Sequence, residues 1–196
     1  NRPVTDENLN AAPFYHKAAR VFEKVPKDIS ELLRKQYDEF TPEQKQVMGK
    51  WLTDNHEILE LVVAGTQKQY YWRTYVNKHK QKTSEMISIL LPHFNGFVNL
   101  ARTLRWRALL RAEQGRYEDA FNDVKSCYRF GRHLKGERFF IEQLMAFGVE
   151  KVANQSLRDI LSECRIDAET LITLQKDYEQ MIADENFLIG LEAEKL

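Results

Sequence analysis

The stretch from Phe94 to Leu134 limits the fold more than any other part of the chain. Phe97, Ala101, Leu104 and Ala108 recur at three- and four-residue intervals, the spacing that returns side chains to one face of an α-helix. The pattern stops at Gly115 and resumes near Arg116 with Ala120, Phe121, Val124, Cys127 and Tyr128. One glycine between two amphipathic runs leaves room only for a tight turn, so the two helices fold back and bury those faces together.

The rest of the chain follows the same logic. With eight glycines and five prolines in 196 residues, it is poor in the turn formers that a many-stranded sandwich or barrel requires. A hydrophobic content of 43% is enough for one sizeable core at this length. These features predict an all-α fold: one compact multi-helix domain spanning 1–196, more than half helical, with no sheet of three or more strands.

Local signals place the other helices. Phe14, Ala18, Val21 and Phe22 form a stripe that Pro26 ends, and Asp28 with Glu31 marks a short helix start. Thr41, Pro42 and Gln44 combine an N-cap hydroxyl, a proline at the first helical position and a capping-box partner; one helix is expected from there to about Gly65, carrying Val47, Met48, Trp51, Leu52, Leu59 and Val62 inward. Residues 66–82 read as loop and helix, "SEMISILLP" as a short helix closed by Pro92, and Glu137 to about Ser162 as a long helix. Asp167 caps the next one, and "ADENFLIGLEAEKL" starts a further helix still amphipathic at Leu196, which predicts a longer parent chain.

Charge narrows the partner class. Lys plus Arg equals Asp plus Glu at 29 each, so no overall field draws the protein to nucleic acid or to an anionic membrane. Residues 99–138 nevertheless hold ten basic against five acidic residues, while 163–196 hold three against nine. No apolar run reaches the roughly 18 residues needed to span a bilayer, so no direct membrane insertion by this segment is expected. The polar start "NRPVTDEN", without a methionine, leads us to expect a removed signal peptide or anchor upstream. Cys127 and Cys164 are too few for a disulfide framework and read as small buried hydrophobes.

The 101–134 segment resembles a tetratricopeptide repeat, a helix-turn-helix unit of about 34 residues. Ala108 stands at the small helix-contact position, Gly115 at the turn, Tyr117 at the aromatic that follows it and Ala120 at the most restrictive small position, with Val124 and Cys127 at later apolar and small sites. Arg107 and Arg111 depart from the usual apolar and aromatic residues, and Arg132 replaces the closing proline. Gly148, Ala153, Leu157 and Ile160 echo this spacing over 134–167, although a continuous long helix fits the same residues. The order of segments is also similar to that of uncharacterised bacterial all-helical proteins with an N-terminal membrane anchor. That resemblance implies a cell-envelope location, the alternative being cytoplasmic.

No nucleophile elbow, P-loop or dinucleotide-binding motif is present, no cofactor is implied, and His56 with Glu60 makes two metal ligands at helical spacing without a third. What the resemblance implies instead is an interaction module: Arg102, Arg105, Leu109 and Glu113 occupy positions from which the repeat family lines its concave groove. Two arginines three apart can both reach one carboxylate, so the expected partner is a protein or acidic peptide, either separate or the chain's own acidic end. Tyr71, Trp72 and Arg73, within "YYWRTY", form a second candidate patch of aromatics around arginine. The alternative is an enzyme or small-ligand-binding protein with a pocket lined by these aromatics and the central arginines.

Overall fold

The structure is a computed structural model that describes residues 6–72, 94–135 and 140–183. Its α-helices are α1 (Ala12–Phe22), α2 (Lys27–Leu32), α3 (Pro42–Asp54), α4 (His56–Thr66), α5 (Phe94–Glu113), α6 (Tyr117–Leu134), α7 (Phe140–Glu163) and α8 (Ala168–Ala183), with single 3-10 turns at Glu7–Leu9 and Tyr37–Glu39. These eight helices hold more than half of the chain, and no strand occurs among the described residues; an isolated parallel bridge joins Asn10 to Tyr70. No helix of the described residues is long and apolar enough to cross a membrane. The "SEMISILLP" helix and most of the acidic C-terminal segment lie outside the described residues.

Helices α5, α6 and α7 pack on one another as a trio, with α1 and α3 laid on α5 and α4 bridging α1 and α6. The hairpin forms where its apolar spacing places it. Gly115 takes φ +74, a left-handed conformation that costs glycine nothing. That turn lets the Gly115 amide donate to the Ala112 carbonyl and the Arg116 amide to the Arg111 carbonyl, both at 2.9 Å, the paired bonds of a Schellman cap. Phe97, Ala101, Leu104 and Ala108 on α5 and Ala120, Phe121, Val124, Cys127 and Tyr128 on α6 are all buried. The Cys127 thiol lies between three helices, directed at the carbonyls of Ala101 (3.9 Å) and Val149 (3.8 Å). Cys164, by contrast, is only half-buried.

The core is aromatic at both ends of the trio. Tyr15 and Phe97 each meet the Phe130 ring edge-on, at 4.6 and 5.5 Å, joining α1, α5 and α6. At the other side the fully buried Trp106 is covered by Phe40 at 3.9 Å and Tyr37 at 5.9 Å. Gly96 allows α1 and α5 to touch, since a Cβ there would fall 2.5 Å from the Ala19 carbonyl oxygen.

Several expectations change register. The Thr41 cap forms as predicted, with the Thr41 hydroxyl and the Gln44 side chain exchanging bonds with each other's backbone amides. The single helix expected after it is two, meeting at Asn55, whose backbone and side-chain amides both donate to the Trp51 carbonyl and divert the ladder. Asp28 sits in the first turn of α2 behind Pro26 rather than capping it. On α1 the buried stripe is Tyr15, Ala18, Ala19 and Phe22, while Val21 faces solvent, as does Val47 on α3. Gly148 does not open a second hairpin: α7 runs unbroken through it, and the chain turns only before Asp167, which caps α8 by accepting the Thr170 amide at 2.9 Å. An uninterrupted amide ladder outweighs the roughly 1 kcal/mol that glycine costs inside a helix.

Ala120 has no exposed surface on the inner face of α6. Ala120→Leu should lower the thermal midpoint by an amount equivalent to about 1–3 kcal/mol, because the added carbons would have to displace packed helices. An unchanged midpoint in a thermal melt would show that the hairpin does not close on this residue.

Candidate partner-binding face

The α5 face expected to line a groove is covered by the chain itself. The connection from α2 to α3 and the first turn of α3 cross it: the Lys35 carbonyl accepts from Arg105 Nη1 at 3.2 Å, and Lys45 Nζ of α3 reaches Glu113 Oε1 at 2.5 Å. From the other side α7 supplies Asp159, whose Oδ2 takes Arg105 Nε and Nη2 at 3.1 and 2.7 Å. Arg105 is therefore only 6% exposed and Leu109 2%. Neither is open to a partner, and the carboxylate that Arg105 holds lies before the acidic 163–196 region rather than within it. A guanidinium placed among packed helices has to find a carboxylate inside the fold, and Asp159 is where α7 brings one. Glu113 is exposed and engaged by Lys45.

Arg102 differs from Arg105. It is half-buried, and among the described residues no side-chain hydrogen bond or ion pair joins it to another. Burial first, and then the facing charges of Arg34 and Arg105, hold its guanidinium below the ordinary arginine value.

The two arginines that depart from the repeat pattern have a structural explanation. Arg107 grips the buried Asp123 of α6 through Nη2 (2.5 Å) and Nε (3.0 Å), and Arg111 reaches the same carboxylate at 2.7 Å. Burial pushes the Asp123 carboxyl up, opposed by both guanidinium groups. Arg107 also holds Glu60 of α4 at 2.6 Å, so Glu60 faces an arginine as well as His56, which stands 3.9 Å away. Among the described residues no group of three or more His, Cys, Asp or Glu is arranged to hold a metal ion.

Tyr71 and Trp72 act as ties where the structure places them, and Arg73 lies outside the described residues. The Asn10 side chain bonds the Trp72 backbone in both directions, through its amide to the carbonyl (2.9 Å) and its oxygen to the N–H (3.0 Å). Tyr71 OH meets His16 Nε2 at 3.2 Å. Next to it the Tyr15 hydroxyl and His133 Nδ1 are 2.7 Å apart. A neutral imidazole has one N–H, so the tautomer of His133 sets which group donates across the Tyr15 contact. Burial pushes His133 down to about 4 from 6.5, with Arg132 and Arg129 adding to the effect.

Sequence reasoning missed Asp123, Asp159, Tyr15 and His133. Asp123 had a signal, since Arg107 and Asp123 lie equally far from Gly115 and a hairpin turning there sets them opposite. The others come from segments that meet only in the tertiary fold.

The open surface lies at α8. Among its residues with described side chains only Leu174 is buried, while Leu171 and Ile172 face outward, Ile172 at 54% exposure. Lys125 to Asp177 (2.8 Å) and the Tyr128–Tyr178 ring contact (6.0 Å) hold the helix to α6 across a cleft of about 620 Å³ with Phe121 and Leu174 in its wall. No family model, curated protein or solved structure matches the chain.

Two outcomes follow from the buried polar groups. Arg105→Glu should destabilise the fold by on the order of 3–5 kcal/mol in a denaturant melt, because it sets a second carboxylate against Asp159. For His133, the unfolded chain takes up a proton near pH 6.5 and the folded chain only near about 4. Stability from this residue is thus complete above pH 6.5, declines as pH falls and stops declining below about 4, a total on the order of 3 kcal/mol. Melts at pH 7 and pH 5 should differ less for His133→Gln than for the wild type; an equal difference would remove His133 from the pH response.

Proposed function

We propose that this chain is a non-enzymatic helical interaction module that holds a protein partner on its outer α8 face. The observation that carries the reading is α8 itself, a sixteen-residue helix that buries Leu174 and turns Leu171 and Ile172 to solvent. Adjacent exposed leucine and isoleucine on a thinly anchored helix suit an apolar stripe on a partner helix.

The tetratricopeptide reading of 101–134 belongs to this proposal, supported by buried Ala108 and Ala120 and by the left-handed Gly115. Tyr117 adds to it: its hydroxyl donates to the Arg165 carbonyl at 3.0 Å, joining the hairpin to the turn between α7 and α8. Because residues 33–45 and Asp159 fill the α5 face, the partner is assigned to the outside of the stack and not to a groove lined by Arg105 and Leu109.

The test is the double variant Leu171→Ser, Ile172→Ser. It should stay within about 0.5 kcal/mol of wild-type stability, as surface changes do. A protein enriched by the wild type from cell extract should be lost by the variant, and the same loss should recur when the purified protein is titrated. Equal binding of that protein by both forms would defeat the proposal.

A further inference from the structure

Apart from the α8 surface, a cleft of about 370 Å³ opens between α3 and the last turns of α5. Gly49 and Leu52 of α3 line one wall, Arg107, Leu110 and Arg111 of α5 line the other, and Arg116 stands at the end. No carboxylate is among the lining residues. The acids that meet these arginines come from α4 and α6 instead: Glu60 and Asp123 on Arg107, Asp123 on Arg111, and Asp119 on Arg116. Asp123 Oδ2 accepts from both Arg107 Nε (3.0 Å) and Arg111 Nη1 (2.7 Å), which holds two guanidinium groups side by side on one oxygen.

That arrangement leaves donors over on the cleft side. Arg111 makes all of its hydrogen bonds through Nη1, so among the described residues its Nε and Nη2 have no acceptor, although the side chain is only 17% exposed. Arg116 uses Nε and Nη2 on Asp119 and leaves Nη1 without one. Gly49 points the same way. At Gly65, Gly96 and Gly131 a Cβ would fall within 2.8 Å of a neighbouring atom, so packing accounts for those glycines. At Gly49 a Cβ would meet nothing within 4 Å. A glycine in the middle of α3 weakens the helix without serving its packing, and what it provides is room in the cleft.

The occupant follows from these groups. A volume of this size is that of a small-molecule site. Each lining arginine already has a carboxylate behind it, so the cleft offers surplus N–H donors with little surplus charge. A ligand carboxylate brings one charge and two acceptor oxygens to a guanidinium fork, whereas a phosphomonoester would set about −2 near Asp123 and Asp119. Leu52 and Leu110 supply apolar surface for a short hydrocarbon body.

We infer that this cleft binds a small organic monocarboxylate, its oxygens on Arg111 and Arg116 and its hydrocarbon body against Leu52 and Leu110 in the space left by Gly49.

Calorimetric titration of the full chain with hexanoate tests this, with hexanamide as its uncharged counterpart. Hexanoate should bind, and in nuclear magnetic resonance spectra it should shift the Arg111 Nε–H signal and leave that of Arg105 in place. Hexanamide should bind at least tenfold more weakly. Gly49→Leu should remove binding with an equal or higher melting temperature, because leucine favours the helix and its side chain has only the cleft to fill. Arg111→Gln should weaken binding on the order of tenfold. Arg116→Gln, an exposed change, should weaken it several-fold with no change in melting temperature, which keeps the test valid should Arg111→Gln fold poorly. Absence of hexanoate binding, equal binding of hexanamide, or undiminished binding by folded Gly49→Leu would overturn the inference. Tighter binding of inorganic phosphate than of hexanoate would overturn the carboxylate assignment in favour of a phosphoryl ligand. Tighter binding of acetyl-Ala-Ala-Leu with a free C-terminus would overturn the small-molecule assignment in favour of a chain end.

Discussion

Helix α5 carries Arg105 and Arg107 into the protein interior, and the positions of its neighbours follow from how those two charges are met. A desolvated guanidinium without a carboxylate costs several kcal/mol, so a packing that buried either one alone would not persist. Arg107 is met by Asp123 from α6 and by Glu60 from α4. Arg105 is met by Asp159 from α7 and by the Lys35 carbonyl from the α2–α3 connection. Apolar contacts press these elements against α5, and the ion pairs fix their register. Leucines at 105 and 107 could pack as tightly, but an apolar face has no direction and would accept neighbouring registers equally well.

The same rule governs the smaller polar ties around the apolar core. Asn10 serves both groups of the Trp72 backbone with one side chain, holding the start of α1 to the segment after α4. Tyr15 and His133 satisfy each other in the aromatic cluster that α1 shares with α5 and α6. Each tie joins segments far apart in sequence, and each leaves its groups with no capacity for a ligand. The surface proposed for a partner, the exposed side of α8, lies apart from these ties.

Much of the hairpin was legible in the sequence because its determinants are local. The three-four spacing of Phe97, Ala101, Leu104 and Ala108, the left-handed need at Gly115 and the capping box at Thr41 each act within a turn or two of chain, where geometry is fixed by the helix itself. Errors arose where a local signal competed with another. Asn55 read as a mid-helix residue, yet its amide prefers the Trp51 carbonyl. Gly148 fitted both a repeat-like turn and a continuous long helix, and the long helix is what forms. Val21 and Val47 fitted their stripes by spacing alone, and a shift of one residue on a helix, about 100°, is enough to turn a side chain from core to solvent.

The sequence by itself determined that this chain is helical, where its main hairpin turns and which residues of that hairpin are buried, because backbone hydrogen bonding and apolar periodicity are short-range. Only the tertiary structure decided the fate of the arginines. Arg102 and Arg105 are the same residue type, one turn apart, with equal claims on an acidic group as far as the sequence goes. Asp159 arrives at one of them along a helix that begins beyond the hairpin, and the Lys35 carbonyl arrives from before it. Which charge is neutralised depends on distances set by three-dimensional packing, and Coulomb attraction between groups more than fifty residues apart leaves no trace in local sequence.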